Sequence, residues 1–259
     1  MPVYIDQTGR SVDIPFPPKR IISLVPSQTE FLAALGLDDE VVGITKFCTL
    51  PEHWFQHKMR IGGTKNLRLD LIRSLKPDLI IANKEENKLD QIEMLEHQFP
   101  VWASDVVDLP SALNMMQQIG RITGKNELAT AVTTEISTAF QSLTPMETAK
   151  SVLYLIWQQP WMAAGAGTFI DDVLQRLGMH NLAAATAQRY PVIPADKLVE
   201  LQPDYIFMSS EPFPFAEKHM EELKLKLPNS KIMLVDGKQF SWYGSRLLSS
   251  VSYFHKMNW

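Results

Sequence analysis

The stretch Arg20-Ile21-Ile22-Ser23-Leu24-Val25-Pro26-Ser27-Gln28-Thr29-Glu30 decides how the chain is read. The apolar run from Ile21 to Val25 is short and stops at a proline, as a buried strand would. Ser27 follows it, with Glu30 three residues on, which predicts a helix opened by a capping box; Gly36 stands where a left-handed C-cap would close it. A strand feeding directly into a helix is the first half of an α/β layer. Outward from it, residues 79–82 and 101–103 read as further apolar strands, and residues 89–97 between them have helical spacing. Strands alternating with helices predict a mostly parallel sheet.

From residue 111 to 143 no strand pattern occurs. Leu128, Val132, Ile136, Ala139, Phe140 and Leu143 share one face of a helix, and Pro145 ends the stretch. Beyond it, residues 151–156, 205–208 and 232–235 read as strands. Residues 168–177 read as a helix closed by Gly178, and 241–256 as a terminal helix. The halves also repeat: Leu75, Pro77, Asp78 and Ile80 match Leu201, Pro203, Asp204 and Ile206 in one register, which also pairs Asp70 with Asp196 and Glu85 with Glu211. The expected fold is therefore α/β: two lobes with mostly parallel sheets, residues 1–123 and 147–259, joined by a long central helix within 124–146.

Composition narrows the function. The chain has 259 residues and a net charge of -4, which offers no electrostatic footprint for nucleic acid. No apolar run reaches the ~18 residues of a membrane span. The single cysteine, Cys48, cannot form an internal disulfide. Met1-Pro2-Val3-Tyr4-Ile5-Asp6 lacks the basic start and apolar stretch of a signal peptide, so either a signal has been removed or the protein stays inside the cell.

Ligands of open parallel sheets bind beyond the carboxyl ends of the strands. Trp157 and Trp161 follow one predicted strand; Phe240, Trp242, Tyr243 and Arg246 follow another, among glycines and serines. Flat rings at such positions suit a large planar ligand. Lys65, Lys84, Arg189 and Arg246 are the cations available to ligand carboxylates or phosphates. Catalytic patterns are missing. His53 and His57 have one-face helical spacing, but Trp54 stands where a zinc hydrolase needs glutamate. Gly165-Ala166-Gly167-Thr168 lacks the lysine of a phosphate loop, and no Gly-x-Ser-x-Gly occurs. No catalytic residue and no metal ligand is assigned.

The opening segment, together with Leu75-Lys76-Pro77-Asp78-Leu79-Ile80 and the Gly165–Gly178 segment, resembles the helical-backbone periplasmic binding proteins that serve ABC importers of vitamin B12, ferric siderophores and haem. The likeness runs from about Val3 to the C-terminus. It implies a ligand receptor rather than an enzyme, with a cleft between lobes, no intrinsic cofactor, and a corrinoid or ferric chelate as ligand. It also implies a membrane permease as partner, a monomer, and a periplasmic or extracytoplasmic location. On the vitamin B12 branch of that family, Phe47, Met162 and Tyr190 fall on aromatic pocket positions, and residues 238–246 on the last ligand-contacting loop. Thr64 and Lys238 depart from that pattern, which leaves open a siderophore or haem receptor, or an intracellular carrier or enzyme reusing the fold. Asp70 and Asp196 fall on the two acidic positions that meet permease arginines. With the residues that follow the predicted strands, the expected ligand set is Phe47, Lys84, Trp157, Trp161, Met162, Tyr190, Phe240, Trp242, Tyr243 and Arg246.

Overall fold

A computed structural model describes residues 1–257. It gathers the chain into two compact units. Residues 1–106, 110–138 and 243–248 form the first; residues 107–109, 139–242 and the chain from 249 form the second. In the first unit a hairpin of β1 (Val3–Ile5) and β2 (Ser11–Asp13) precedes β3 (Ile21–Ser23), α1 (Pro26–Ala34), β4 (Val41–Ile44), α2 (Glu52–His57) and β5 (Met59–Arg60). The short pair β6 (Gly62–Gly63) and β7 (Asn66–Leu67) leads to α3 (Leu69–Leu75), β8 (Leu79–Asn83), α4 (Leu89–Glu96) and β9 (Val101–Ser104). The main sheet has the order β5-β4-β3-β8-β9, all parallel. Every residue of β3, β8 and β9 is buried, as strands covered on both faces must be. Ile22, Leu24, Ile72, Ile80, Ala82 and Leu95 pack in one core cluster. Two helices follow in chain order, α5 (Leu109–Thr123) and α6 (Asn126–Gln141).

In the second unit β10 (Lys150–Trp157) lies parallel to β12 (Met179–Asn181) and to β13 (Tyr205–Ser209), which is parallel to β14 (Lys231–Val235). The two-residue β11 (Met162–Ala163) turns back antiparallel on β10. The helices are α7 (Phe169–Arg176), α8 (Ala195–Glu200), α9 (Glu217–Lys226), α10 (Gly237–Ser241) and α11 (Leu247–Lys256). Leu153, Leu155, Ile206, Met208 and Ile232 supply the strand side of its core. No helix among the described residues is long and apolar enough to cross a membrane.

Two local expectations are corrected, the opening of α1 and the start of the terminal helix. Pro26 opens α1 rather than Ser27, because a proline at the first helical position gives up no needed N–H and has its φ already set. Val25 becomes the cap, Ser27 falls inside the first turn, and Glu30 pairs with Arg246 instead of closing a capping box. The stretch from 111 to 143 holds parts of two helices, α5 and α6, which part where Gly124 adopts φ +73°, and α6 lies within the 124–146 span read as helical. Residues 242–246 are not helical: a Cβ on Gly244 would stand 2.5 Å from the Ser27 carbonyl oxygen, so the backbone here lies directly against α1.

The repeated sequence element has a structural job in both units. After α3, Lys76 turns left-handed (φ 46°), and the Asp78 carboxylate accepts from the N–H groups of Lys19 and Arg20, 2.7 and 2.8 Å away, at the entrance of β3. After α8, Gln202 turns left-handed (φ 41°), and Asp204 accepts from the Ser151 N–H and hydroxyl, 2.8 and 2.7 Å away, at the start of β10. Each Pro-Asp turn thus pins the strand beside the one it begins.

Candidate functional site

Each sheet contains one point where the chain reverses its direction of growth. In the first unit the chain adds β4 and β5 on one side of β3, then crosses to add β8 on the other. In the second it adds β11 and β12 on one side of β10, then β13 and β14 on the other. The crevice beyond the carboxyl ends of the strands at such a reversal is left open by the connections, and ligands bind there. The loops after β3 and β8, and those after β10 and β13, therefore border these crevices.

In the first unit the loop after β8 is held by asparagines. Asn83 Oδ1 accepts from the N–H groups of Glu85 and Glu86, at 3.0 and 2.9 Å. Asn87 Nδ2 donates to the carbonyls of Leu24 and Thr64. Lys84 projects from this loop to Asp105, 2.6 Å away, and its side chain is mostly exposed. At the N-terminus of α1 the Ser27 hydroxyl and Gln28 Oε1 are buried without a hydrogen-bond partner, and Val25 supplies no side-chain cap. Phe47 is 51% exposed, with the Lys46 ammonium 5.0 Å above its ring. Tyr243 is buried. Arg246 is engaged through two bonds to Glu30, 2.9 and 2.6 Å long.

In the second unit aromatic rings crowd the carboxyl ends of β10 and β13. Trp157 is 41% exposed and meets Phe213 edge-on at 5.5 Å; Phe213 continues to Phe215 at 4.7 Å, and Trp161 stacks on Phe215 at 6.0 Å. Met162 and Tyr190 are half-buried. Phe240 has no exposure and packs on Tyr154 and Phe254, at 5.1 and 4.9 Å, as a core ring. Trp242 is 7% exposed; its indole N–H donates to Glu211 Oε1 at 2.7 Å, and the Lys238 ammonium sits 5.3 Å from its ring. Burial pushes the Glu211 carboxyl above its usual range, against the Trp242 hydrogen bond and the Lys238 charge, which pull it down.

The structure thus joins Trp157 and Trp161 into one aromatic cluster and places Trp242 beside an acid. Phe47, Lys84, Tyr243 and Arg246 belong to the first unit. Sequence reasoning did not assign Phe213, Phe215 or Glu211 to the site, although the repeat register already matched Glu211 with Glu85. No group of three or more His, Cys, Asp or Glu side chains among the described residues could hold a metal ion. His53 instead reaches Asp38 at 3.1 Å, and burial raises the pKa of Cys48, which is hydrogen-bonded to Thr29 and Thr45.

Comparison with known proteins gives concordant results. A family model described as periplasmic binding protein matches residues 21–227. The vitamin B12-binding protein of Vibrio campbellii is 25% identical over 198 residues, covering 74% of this chain and 71% of that protein. An uncharacterized ABC transporter substrate-binding lipoprotein of Bacillus subtilis is 28% identical over 217 residues, covering 79% and 68%. The crystal structure of the periplasmic vitamin B12 binding protein of Vibrio cholerae superposes with a TM-score of 0.77 at 22% identity, over 93% of this chain and 96% of that one. A periplasmic heme-binding protein from Roseiflexus sp. RS-1 gives 0.78 at 20% identity, over 91% and 95%.

Proposed function

The chain belongs to the periplasmic binding protein family, and from that premise we propose that it is the substrate-binding component of an ABC importer, capturing a corrinoid for delivery to a membrane permease. Members of this family are ligand carriers, not enzymes. The observation that carries the reading is the clustering of Trp157, Phe213, Phe215 and Trp161 at the carboxyl end of the second sheet, where its connections reverse. An exposed indole backed by further rings offers a flat apolar surface for a macrocycle. Phe47, half exposed beside Lys46, offers a comparable ring in the first unit.

Within this reading the proposed contacts divide by exposure. Phe47, Lys84, Trp157, Met162 and Tyr190 face ligand. Trp161 backs Trp157 through Phe215 and Phe213; Phe240, Trp242 and Tyr243 are buried; and Arg246 anchors residues 243–248 through Glu30. Haem and ferric chelates are the alternative ligands, supported by the fold shared with heme-binding proteins. An extracytoplasmic location and a monomeric state belong to the same proposal. Titration with cyanocobalamin, haemin and a ferric siderophore, followed by tryptophan emission, tests it: quenching at micromolar cyanocobalamin is expected, and weakened by Trp157→Ala. Silence toward all three ligands would remove the receptor reading; a response to haemin or the siderophore alone would reassign the ligand.

A further inference from the structure

Glu211 stands two residues past the end of β13, at the reversal point of the second sheet. Its Oε1 accepts from the indole N–H of Trp242 at 2.7 Å, with the Ser241 hydroxyl 3.5 Å away. Among the described residues no hydrogen bond or ion pair occupies Oε2. The stem that carries the carboxylate is closely packed. A Cβ on Gly237 would come within 2.8 Å of Glu211 Cγ and 2.3 Å of the Ser209 hydroxyl, so the turn entering α10 closes on the stem of the side chain. The Ser209 hydroxyl in turn donates to the Glu211 carbonyl at 2.6 Å and accepts from Tyr154 at 3.1 Å, which fixes the backbone. The residue is half-buried. The outcome is a carboxylate on a packed stem with one oxygen committed to the protein and the other uncommitted, a few residues along the chain from the aromatic cluster of Phe213 and Phe215.

We propose that Glu211 is a specificity-determining residue: Oε2 accepts a hydrogen bond from an N–H or O–H group on the ligand periphery and excludes ligands that carry a carboxylate there. The inference rests on the receptor reading above and deepens it, since it names peripheral amides as the groups selected. A fixed, partly desolvated acceptor gains from a donor and is left unpaired, beside a like charge, by an acid. Discrimination of this kind exceeds what apolar packing can supply, because a site built for a hydrogen bond rejects the ligand that cannot make it.

Two probes share one ring and differ at its rim: dicyanocobinamide carries carboxamides, and dicyanocobyrinic acid carries carboxylates. Calorimetric titration of the wild type should show the amide form bound at least about tenfold more tightly. Glu211→Gln keeps a carbonyl oxygen for the Trp242 indole and removes the charge. It should narrow the preference at least about fivefold, with an unchanged melting temperature and an unchanged tryptophan emission maximum in the free protein. A variant that folds and keeps the wild-type ratio would overturn the inference while leaving the receptor reading intact. Equal affinities in the wild type would overturn it without any variant. A wild type that binds neither probe would overturn the inference together with the corrinoid assignment on which it rests.

Discussion

The side chain of Asp6 is fully shielded from solvent and accepts hydrogen bonds from the N–H and hydroxyl of Thr8, from the N–H and guanidinium of Arg10, and from the N–H of Ala103. Burial alone would raise its pKa, but these donors outweigh burial and the net shift is downward. A carboxyl whose folded pKa lies below its unfolded value of ~3.9 contributes stability above that value, and loses it as pH falls through the folded pKa. Asp6→Ala should therefore destabilise the protein by about 3 kcal/mol at neutral pH, because it strands buried donors. In chemical denaturation the wild type and Asp6→Asn should converge as pH falls through the folded pKa; a gap that stays constant with pH would refute the linkage. None of this was legible in the sequence, where Asp6 is one acid in a polar N-terminal segment: the Ala103 donor lies 97 residues away. Arg246 shows the same gap. Its place among aromatics pointed toward a ligand, yet its partner Glu30 is 216 residues distant along the chain.

At the level of elements, local pattern succeeded wherever local forces act. Thr168 caps α7, accepting from the Asp171 N–H at 3.2 Å and donating to the Gly165 carbonyl at 2.8 Å, and Gly178 closes the far end with φ +76°. Thr168→Ala should cost about 1–2 kcal/mol in chemical denaturation, and Thr168→Ser should recover most of it; equal losses in the two variants would show that the methyl group, not the hydroxyl, matters. Pattern failed where residues distant along the chain intervene. Strand β4, Val41-Val42-Gly43-Ile44, is short and carries a glycine, which argues against a strand from sequence alone. Yet a Cβ at Gly43 would lie 3.1 Å from Leu75 and 3.2 Å from Ile61, so the glycine is there for packing. Periodicity likewise ran a single terminal helix through residues 241–256, because it carries no information about Gly244 against α1. The site was legible to the same extent. Tryptophans after a strand could be read; the phenylalanines that join them, Phe213 and Phe215, could be placed only with the fold.

At the scale of the whole molecule, the repeat sets Asp70 and Asp196 at the second position of α3 and of α8, both exposed. We propose that these are the two carboxylates that dock on a permease. Paired charges of this kind set register and encounter rate. Among the described residues Asp70 meets only its neighbour Arg73, at 2.8 Å, with its carboxylate open to solvent, so reversal should leave the fold intact. Asp70→Arg with Asp196→Arg should abolish stimulation of the permease ATPase in proteoliposomes while ligand affinity is unchanged; full stimulation by the double variant would reject the assignment. The first unit is not one ribbon: it ends at residue 138 and is completed by residues 243–248, which bring Arg246 to Glu30. A chimera that grafts residues 1–138 onto the remainder of a relative would inherit Glu30 without its own arginine and the Ser27 backbone without its own glycine against it. Viable crossovers must exchange both ribbons together, so Glu30, Gly244 and Arg246 travel as a single inherited block although most of the gene lies between them.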